Sequence, residues 1–328
     1  MTTSTTATQV LNDVIAVHLH FSCWTGRKKL DECDLSIRGE TPPKEVINLG
    51  SKHTTDPKAL KVFNTLKRQA ERLCLSVGIP FLGGYAIPTN KANNIADGLA
   101  KIVAKYETEK AAYLLKHEEI QSELIEAFPM YENILRKALT PVDVVEQRIS
   151  ADFSMFQVQS AQSKVSKAST GLNNQVNSLS QTLDADILKS ANKLLESLTS
   201  AIAPNQTNVN GLKAIREKVE GLAFLNGRFS TLVTEIKKIE SAMPITGKLS
   251  TDETNLLSGL LFRMSDKDKL ASLMSTISTP ITEVPEPSEP STTTHTDMVF
   301  DSDDFEFDIG ETPVESNESS PAINATFF

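Results

Sequence analysis

Two runs of apolar residues at helical spacing govern what the C-terminal half of this 328-residue chain can become. Leu172, Val176, Leu179, Leu183, Ile187, Leu194, Leu198 and Ile202 form the first. Leu212, Ile215, Val219, Leu222, Phe229, Leu232, Ile236, Ile239 and Met243 form the second. Steps of three, four and seven residues place each set on one side of an α-helix. Ala203-Pro204-Asn205 separates the runs, because proline cannot continue a helix. Two long amphipathic segments joined by a short polar break predict an antiparallel, coiled-coil-like helical hairpin. Its seams pack within the chain or join copies of it as a homo-oligomer. Pro244 and Gly247 end the second arm, and Ser250-Thr-Asp-Glu253 is a capping-box pattern opening a last helix to about Met274.

The N-terminal half mixes periods. From Asp13 to Ser22, Ile15, Val17, Leu19 and Phe21 alternate with Ala16, His18, His20 and Ser22, which predicts a strand with one buried face. Phe81–Pro88 reads as a second strand, with Gly83-Gly84 marking a bulge or close backbone approach. Residues 149–158 read as a third. A charged loop follows the first strand, and Asp56-Pro57 opens a helix that Gly78 ends. A long helix spans about 93–128, a shorter one about 131–139, and Pro141 starts a further turn. The fold class expected is α+β, predominantly helical: a small three-stranded sheet, long helices and the helical hairpin. The expected organisation is a disordered N-terminus (1–9), an α+β motif-bearing region (10–160), the hairpin plus terminal helix (161–278) and a disordered acidic tail (279–328).

Charge divides the chain in the same way. There are 33 Lys and Arg against 42 Asp and Glu, a net charge of −9. Twelve of the acids lie in 281–328, which holds no Lys or Arg, so residues 1–280 carry 33 against 30, a net of +3. A mildly basic body with an acidic tail leaves an anionic partner open. The polar, uncharged start lacks the pattern of a signal peptide, and no apolar run is long enough to span a bilayer. Three cysteines (Cys23, Cys33 and Cys74) fit a reducing cytoplasm better than a disulfide scaffold.

Catalytic signals are sparse. His18 and His20 share a strand face near Cys23, an imidazole-thiolate set of the zinc type, yet no closed zinc spacing is present. Gly50-Ser51-Lys52 lacks the first glycine of a phosphate loop. Cys74 falls on the apolar side of its helix. No catalytic constellation and no cofactor are expected. The surface signals are stronger. Lys58, Lys61, Arg68 and Arg72 fall within an arc of roughly 80° on the predicted helix. With Arg27, Lys28, Lys29, Lys52 and the adjacent Trp24 they form a candidate surface for a nucleic-acid backbone or an acidic protein. In the tail, Phe300, Phe305, Phe307, Phe327 and Phe328 sit among carboxylates, a composition suited to docking on a basic, grooved partner.

Three stretches together resemble a known family: Trp24-Thr-Gly-Arg-Lys-Lys-Leu30, Leu49-Gly-Ser-Lys-His53 with Asp56-Pro57 and Leu60-Lys61-Val62-Phe63 after it, and Phe81-Leu-Gly-Gly-Tyr-Ala-Ile-Pro88. In order and spacing they are similar to the bacterial and phage domain-of-unknown-function family 3150, over about residues 10–245. The resemblance implies no reaction and no catalytic residues. It implies a setting in phages and mobile elements, near MoxR-type AAA ATPases and von Willebrand factor A proteins. The matching residues Trp24, Gly26, Arg27, Lys28, Gly50, Ser51, Lys52, Gly83 and Gly84 mark either a shared surface or shared turns. The function expected is therefore a non-enzymatic adaptor in the bacterial cytoplasm, partnered by such an ATPase or von Willebrand factor A protein. The alternative is a nucleic-acid-associated protein whose basic helix face is regulated by its acidic tail.

Overall fold

The computed structural model describes residues 7–30, 50–159, 166–201 and 203–275. A one-turn helix α1 (Ala7–Asn12) leads into strand β1 (Val14–Ser22). Two three-residue strands, β2 (Arg27–Lys29) and β3 (Ser51–His53), follow, then helix α2 (Lys61–Val77). Strands β4 (Ile79–Phe81) and β5 (Gly84–Pro88) precede the 36-residue helix α3 (Ala92–Ala127). Short helices α4 (Glu132–Ala138) and α5 (Val142–Arg148) lead to strand β6 (Ser150–Phe156). Five helices complete the described chain: α6 (Ser166–Ser200), α7 (Gln206–Gly221), α8 (Arg228–Ser241), α9 (Thr251–Met264) and α10 (Lys267–Ser275).

The architecture is α+β and predominantly helical, but the sheet has four strands rather than the expected three. Their order is β4-β5-β1-β6, every pair antiparallel. The extra strand arises because Phe81–Pro88 is not one bulged strand. Leu82 and Gly83 take φ values of 49° and 76°, and Phe81 pairs directly with Gly84. Positive φ at both central residues is the two-residue hairpin geometry that matches strand twist. Gly84 is a close approach: a Cβ there would stand 2.2 Å from the Val17 carbonyl oxygen.

Strand alternation in β1 holds only in part. The expected face packs at Val17, Leu19 and Phe21, but Val14 and Ala16 on the other face are 2% and 1% exposed, because the first half of the strand is covered on both sides, and Ile15 is half-buried. Val17, with Leu19 and Phe21 beside it, packs on Ala70 and Cys74 of α2 and on Ile95 and Leu99 of α3. Helix α2 begins at Lys61, four residues after Pro57. The Asp56 carboxylate accepts from the Lys58 amide at 2.9 Å and the Asp56 carbonyl from the Ala59 amide at 3.1 Å, which makes a separate turn first.

In place of the expected two-armed hairpin the C-terminal half forms a bundle of shorter helices around α6. The second apolar run is broken by a 3₁₀ turn at Ala223–Leu225, and α7 and α8 fold back on one another. Helix α6 packs on both α7 and α9. The last helix is likewise two: Asp266 caps α10 by accepting from the Asp268 and Lys269 amides at 3.1 and 3.0 Å. The capping box at Ser250 and Glu253 is present, with bonds of 3.3 and 2.6 Å. Ile79, Phe81 and Ala86 of the sheet share one core with Leu183, Ile187, Leu212 and Val219, so the regions 10–160 and 161–278 are continuous in packing. The two run-defining seams are largely interior to the chain: Leu179, Leu183, Ile187, Leu212 and Ile236 are at most 2% exposed. Among the described residues no helix is long and apolar enough to cross a membrane.

Candidate partner-binding site

The first two sequence motifs become the two strands of one ribbon. Arg27 pairs with His53, Lys28 with Lys52 and Lys29 with Ser51. Bonds from Leu30 N to the Gly50 oxygen (3.1 Å) and from Thr54 N to the Gly26 oxygen (2.8 Å) close its ends. Gly26 is required twice over. Its φ is 63°, and a Cβ would lie 2.4 Å from the Thr55 methyl. The Lys28 ammonium donates to the Leu139 carbonyl at 3.0 Å, at the C-terminus of α4, and ties the ribbon to that helix.

Behind the ribbon lies a buried polar chain on α3. His117 is fully buried, edge-on to Trp24 with ring centroids 5.5 Å apart. Its Nε2 lies 2.8 Å from the Thr140 carbonyl, which can only accept, so Nε2 carries the hydrogen. In the neutral ring Nδ1 then accepts from the Tyr113 hydroxyl at 3.2 Å, and Tyr113 accepts from Thr55 at 3.1 Å. Gln121 donates to the Thr54 carbonyl at 3.2 Å. Burial pushes the Tyr113 hydroxyl above its ordinary value despite the Thr55 bond. These contacts fasten Thr54-Thr55, at the foot of the ribbon, to α3 and to the turn before α5. The sequence reading passed over His117 and Gln121. The available signal was polar side chains continuing the stripe of Tyr106 and Tyr113 at steps of four.

The ribbon, the Asp56–Lys58 turn, the end of α3 and α4 enclose a cavity of about 680 Å³. Its floor is apolar, with Leu30, Ile120, Leu124, Ile134 and Leu135, and Lys52, His53, Asp56, Lys58 and Glu123 add polar groups. At its mouth Phe128 and Tyr131 are 52% and 53% exposed, and the adjoining Met130 is 87% exposed.

The expected surface residues divide between places. Trp24 is a buried prop rather than a surface ring. Arg27 and Lys29 are exposed on the ribbon, and Lys52 and Lys58 line the cavity. Lys61 and Arg68 lie on the exposed side of α2, and Arg72 lines a different cavity against α6 and α7. Gly83 and Gly84 serve the β4-β5 turn and do not join the ribbon. Phe300, Phe305, Phe307, Phe327 and Phe328 lie outside the described residues, as does Cys33.

The metal candidates separate. His18 and His20 share one sheet face with ring centroids 6.3 Å apart, whereas Cys23 falls at the opposite parity of the chain. His18 Nε2 lies 3.0 Å from the Leu82 carbonyl and so braces the hairpin turn, and His20 Nε2 lies 3.2 Å from the Ser154 hydroxyl. The Cys23 thiol donates to the Trp24 carbonyl at 3.4 Å, and burial raises its pKa. Among the described residues no group of three or more His, Cys, Asp or Glu side chains is placed to hold a metal ion. Cys74 is fully buried, and burial pushes its thiol to about 12.

Residues 11–266 match the model of a family described as a protein of unknown function, DUF3150. The match takes in the sheet, the ribbon, α3 and most of the helical bundle through α9, and runs past the 245 at which the resemblance was expected to end. No curated protein and no solved structure matches the chain. The chain belongs to the DUF3150 family.

Proposed function

We propose that this DUF3150 member is a non-enzymatic adaptor that docks a protein partner on the surface formed by the ribbon, the end of α3 and α4. The observation that carries this reading is an apolar cavity continuous with exposed Phe128 and Tyr131, next to a basic ribbon built from two sequence motifs. Exposed apolar surface rimmed by polar groups is the ordinary anatomy of a protein-docking site. The partner proposed is a MoxR-type AAA ATPase or a von Willebrand factor A protein of the same phage or mobile element, in the bacterial cytoplasm. That part rests on the setting the family implies, with the aromatic-acidic tail recruiting or regulating. Copurification of the tagged chain with these neighbours tests the reading. Met130→Asp with Tyr131→Ala should remove the partner from the eluate, while Arg68→Ala leaves it. Equal recovery by all three proteins, or none by the parent at gentle salt, refutes the reading.

A second reading, association with nucleic acid, draws on the exposure of Lys58, Lys61, Arg68 and Arg72. If the acidic tail competes for that face, removing 281–328 strengthens DNA binding, with a steep salt dependence. A truncated body that binds no DNA at low salt eliminates it.

A further inference from the structure

A separate cavity, about 550 Å³, lies where α2, α6 and α7 meet, at the seam between the sheet layer and the helical bundle. Its floor is Lys218, only 8% exposed. The Lys218 ammonium donates to the Asp186 carboxylate at 2.6 Å and to the Leu75 carbonyl at 2.8 Å. An ammonium has three N–H bonds, so one donor remains on the cavity that this side chain lines. Arg72 from α2 and Lys193 from α6 line the same space, and both are exposed. Asp186 is the one acid among the described lining residues. Three cations against one carboxylate leave a local charge of +2. Ser190 and Thr207 add hydroxyl groups, and Ile187 and Ile215 supply an apolar wall. The N-terminus of α7 is already closed by its own cap, since Asn205 accepts from the Thr207 amide at 2.9 Å. The side-chain cations therefore carry the site, not the helix end.

We infer that this cavity binds a phosphorylated small molecule. The phosphate is held by Arg72, Lys193 and the remaining N–H of Lys218, and the body of the ligand lies against Ile187 and Ile215. Donors from three helices suit a tetrahedral group with three terminal oxygens better than a planar carboxylate. The charge of +2 matches a phosphate monoester near pH 7. The volume falls within the range of roughly 300–1,000 Å³ typical of small-ligand sites. The site shares no residue with the ribbon cavity, so it stands or falls independently of the adaptor reading.

Calorimetry and thermal melts of the full chain with AMP and with inorganic phosphate, against potassium chloride of matched ionic strength, test the assignment. AMP should bind one-to-one and raise the Tm. Arg72→Ala and Lys193→Ala should each weaken it by about 10-fold or more, the scale of a lost charge-assisted hydrogen bond. Both side chains are exposed, so the variants keep the fold, which their unliganded Tm verifies. No response to AMP or phosphate up to about 10 mM, ten times the concentration that half-fills a weak site, overturns the inference. Undiminished binding by the double variant also overturns it. Single-stranded DNA that binds with length-dependent affinity while AMP does not assigns Arg72 to a nucleic-acid face instead, and overturns it as well.

Discussion

Replacing Gly26 with alanine isolates the contact on which the ribbon pivots. The backbone term comes first: holding a residue with a Cβ at φ 63° costs about 1–2 kcal/mol. The steric term is separate. The new methyl would stand 2.4 Å from the Thr55 Cγ2 and 3.1 Å from a Leu60 methyl, both on side chains packed in the interior. Overpacking of this kind costs about 1–3 kcal/mol, so Gly26→Ala should destabilise by about 2–5 kcal/mol. A loss of about 3 kcal/mol lowers the Tm of a domain this large by about 6–12 °C. Thr55→Ser removes the clashing methyl and keeps the hydroxyl that bonds Tyr113 at 3.1 Å. Alone it should cost about 1 kcal/mol for the vacated volume. In the double variant the new methyl fills that volume, so only the backbone term remains. Urea unfolding of the four proteins should therefore give a favourable coupling of about 2–4 kcal/mol, the relieved overpacking plus the refilled volume. Additivity within about 0.5 kcal/mol, or a Gly26→Ala protein as stable as the parent, contradicts the geometry of the ribbon foot.

Three further outcomes follow from other parts of the fold. Leu82 holds φ 49° at 39% exposure, so Leu82→Asn should stabilise the hairpin by about 1 kcal/mol, read as a higher urea midpoint. Hydrogen bonding from Lys237 comes first, with the charges of Lys237 and Arg216, in holding the Glu220 carboxyl below its ordinary value. A depressed acid contributes stability above its unfolded pKa and loses it as pH falls through the folded one. Glu220→Gln should therefore lower the urea midpoint at pH 7, and the two proteins should converge below about pH 4, near the ordinary glutamate value; a constant difference from pH 7 to acid refutes the linkage. In a Cys33→Ser background at pH 8, Cys74, with its thiol near 12, should resist a disulfide reagent until denaturant is added, and rapid native labelling of Cys74 would contradict its burial.

Much of the architecture was legible because it rests on local chemistry. The alternation of Val17, Leu19 and Phe21 marked the face of β1 that packs on α2 and α3, though not the burial of Val14 and Ala16 on its other face, and Ser250 with Glu253 marked the α9 cap. What stayed hidden has a common cause, which is that apolar period survives a chain break. Leu222 and Phe229 are seven residues apart, one heptad, so their spacing reads as continuous helix although a 3₁₀ turn lies between them. In the same way Phe81–Pro88 keeps its strand composition whether it bulges or turns. The deciding feature is a leucine in the left-handed region, which residue type argues against rather than for.

The candidate surface was legible in direction but not in distance. A helical wheel groups Lys61, Arg68 and Arg72 correctly, since all three are exposed on α2, but it also takes in Lys58, which lies in the separate turn before that helix. It discards the axial coordinate, and 11 residues from Lys61 to Arg72 span about 16 Å. That length carries Arg72 away from the ribbon cavity and into the groove with Lys193 and Lys218. Pairing across the ribbon was equally invisible. Lys28 and Lys52 are 24 residues apart, and nothing local in either motif sets the register that makes them neighbours. Two cations placed side by side repel unless each has its own acceptor. Lys28 has one in the Leu139 carbonyl, so that one charge of the strand is structural, while Arg27 and Lys29 on either side of it are exposed. The basic count of the body therefore overstates what faces a partner. Lys28 ties the ribbon to α4 and Lys218 ties α7 to α2 and α6, whereas Arg27, Lys29, Lys61, Arg68, Arg72 and Lys193 are exposed.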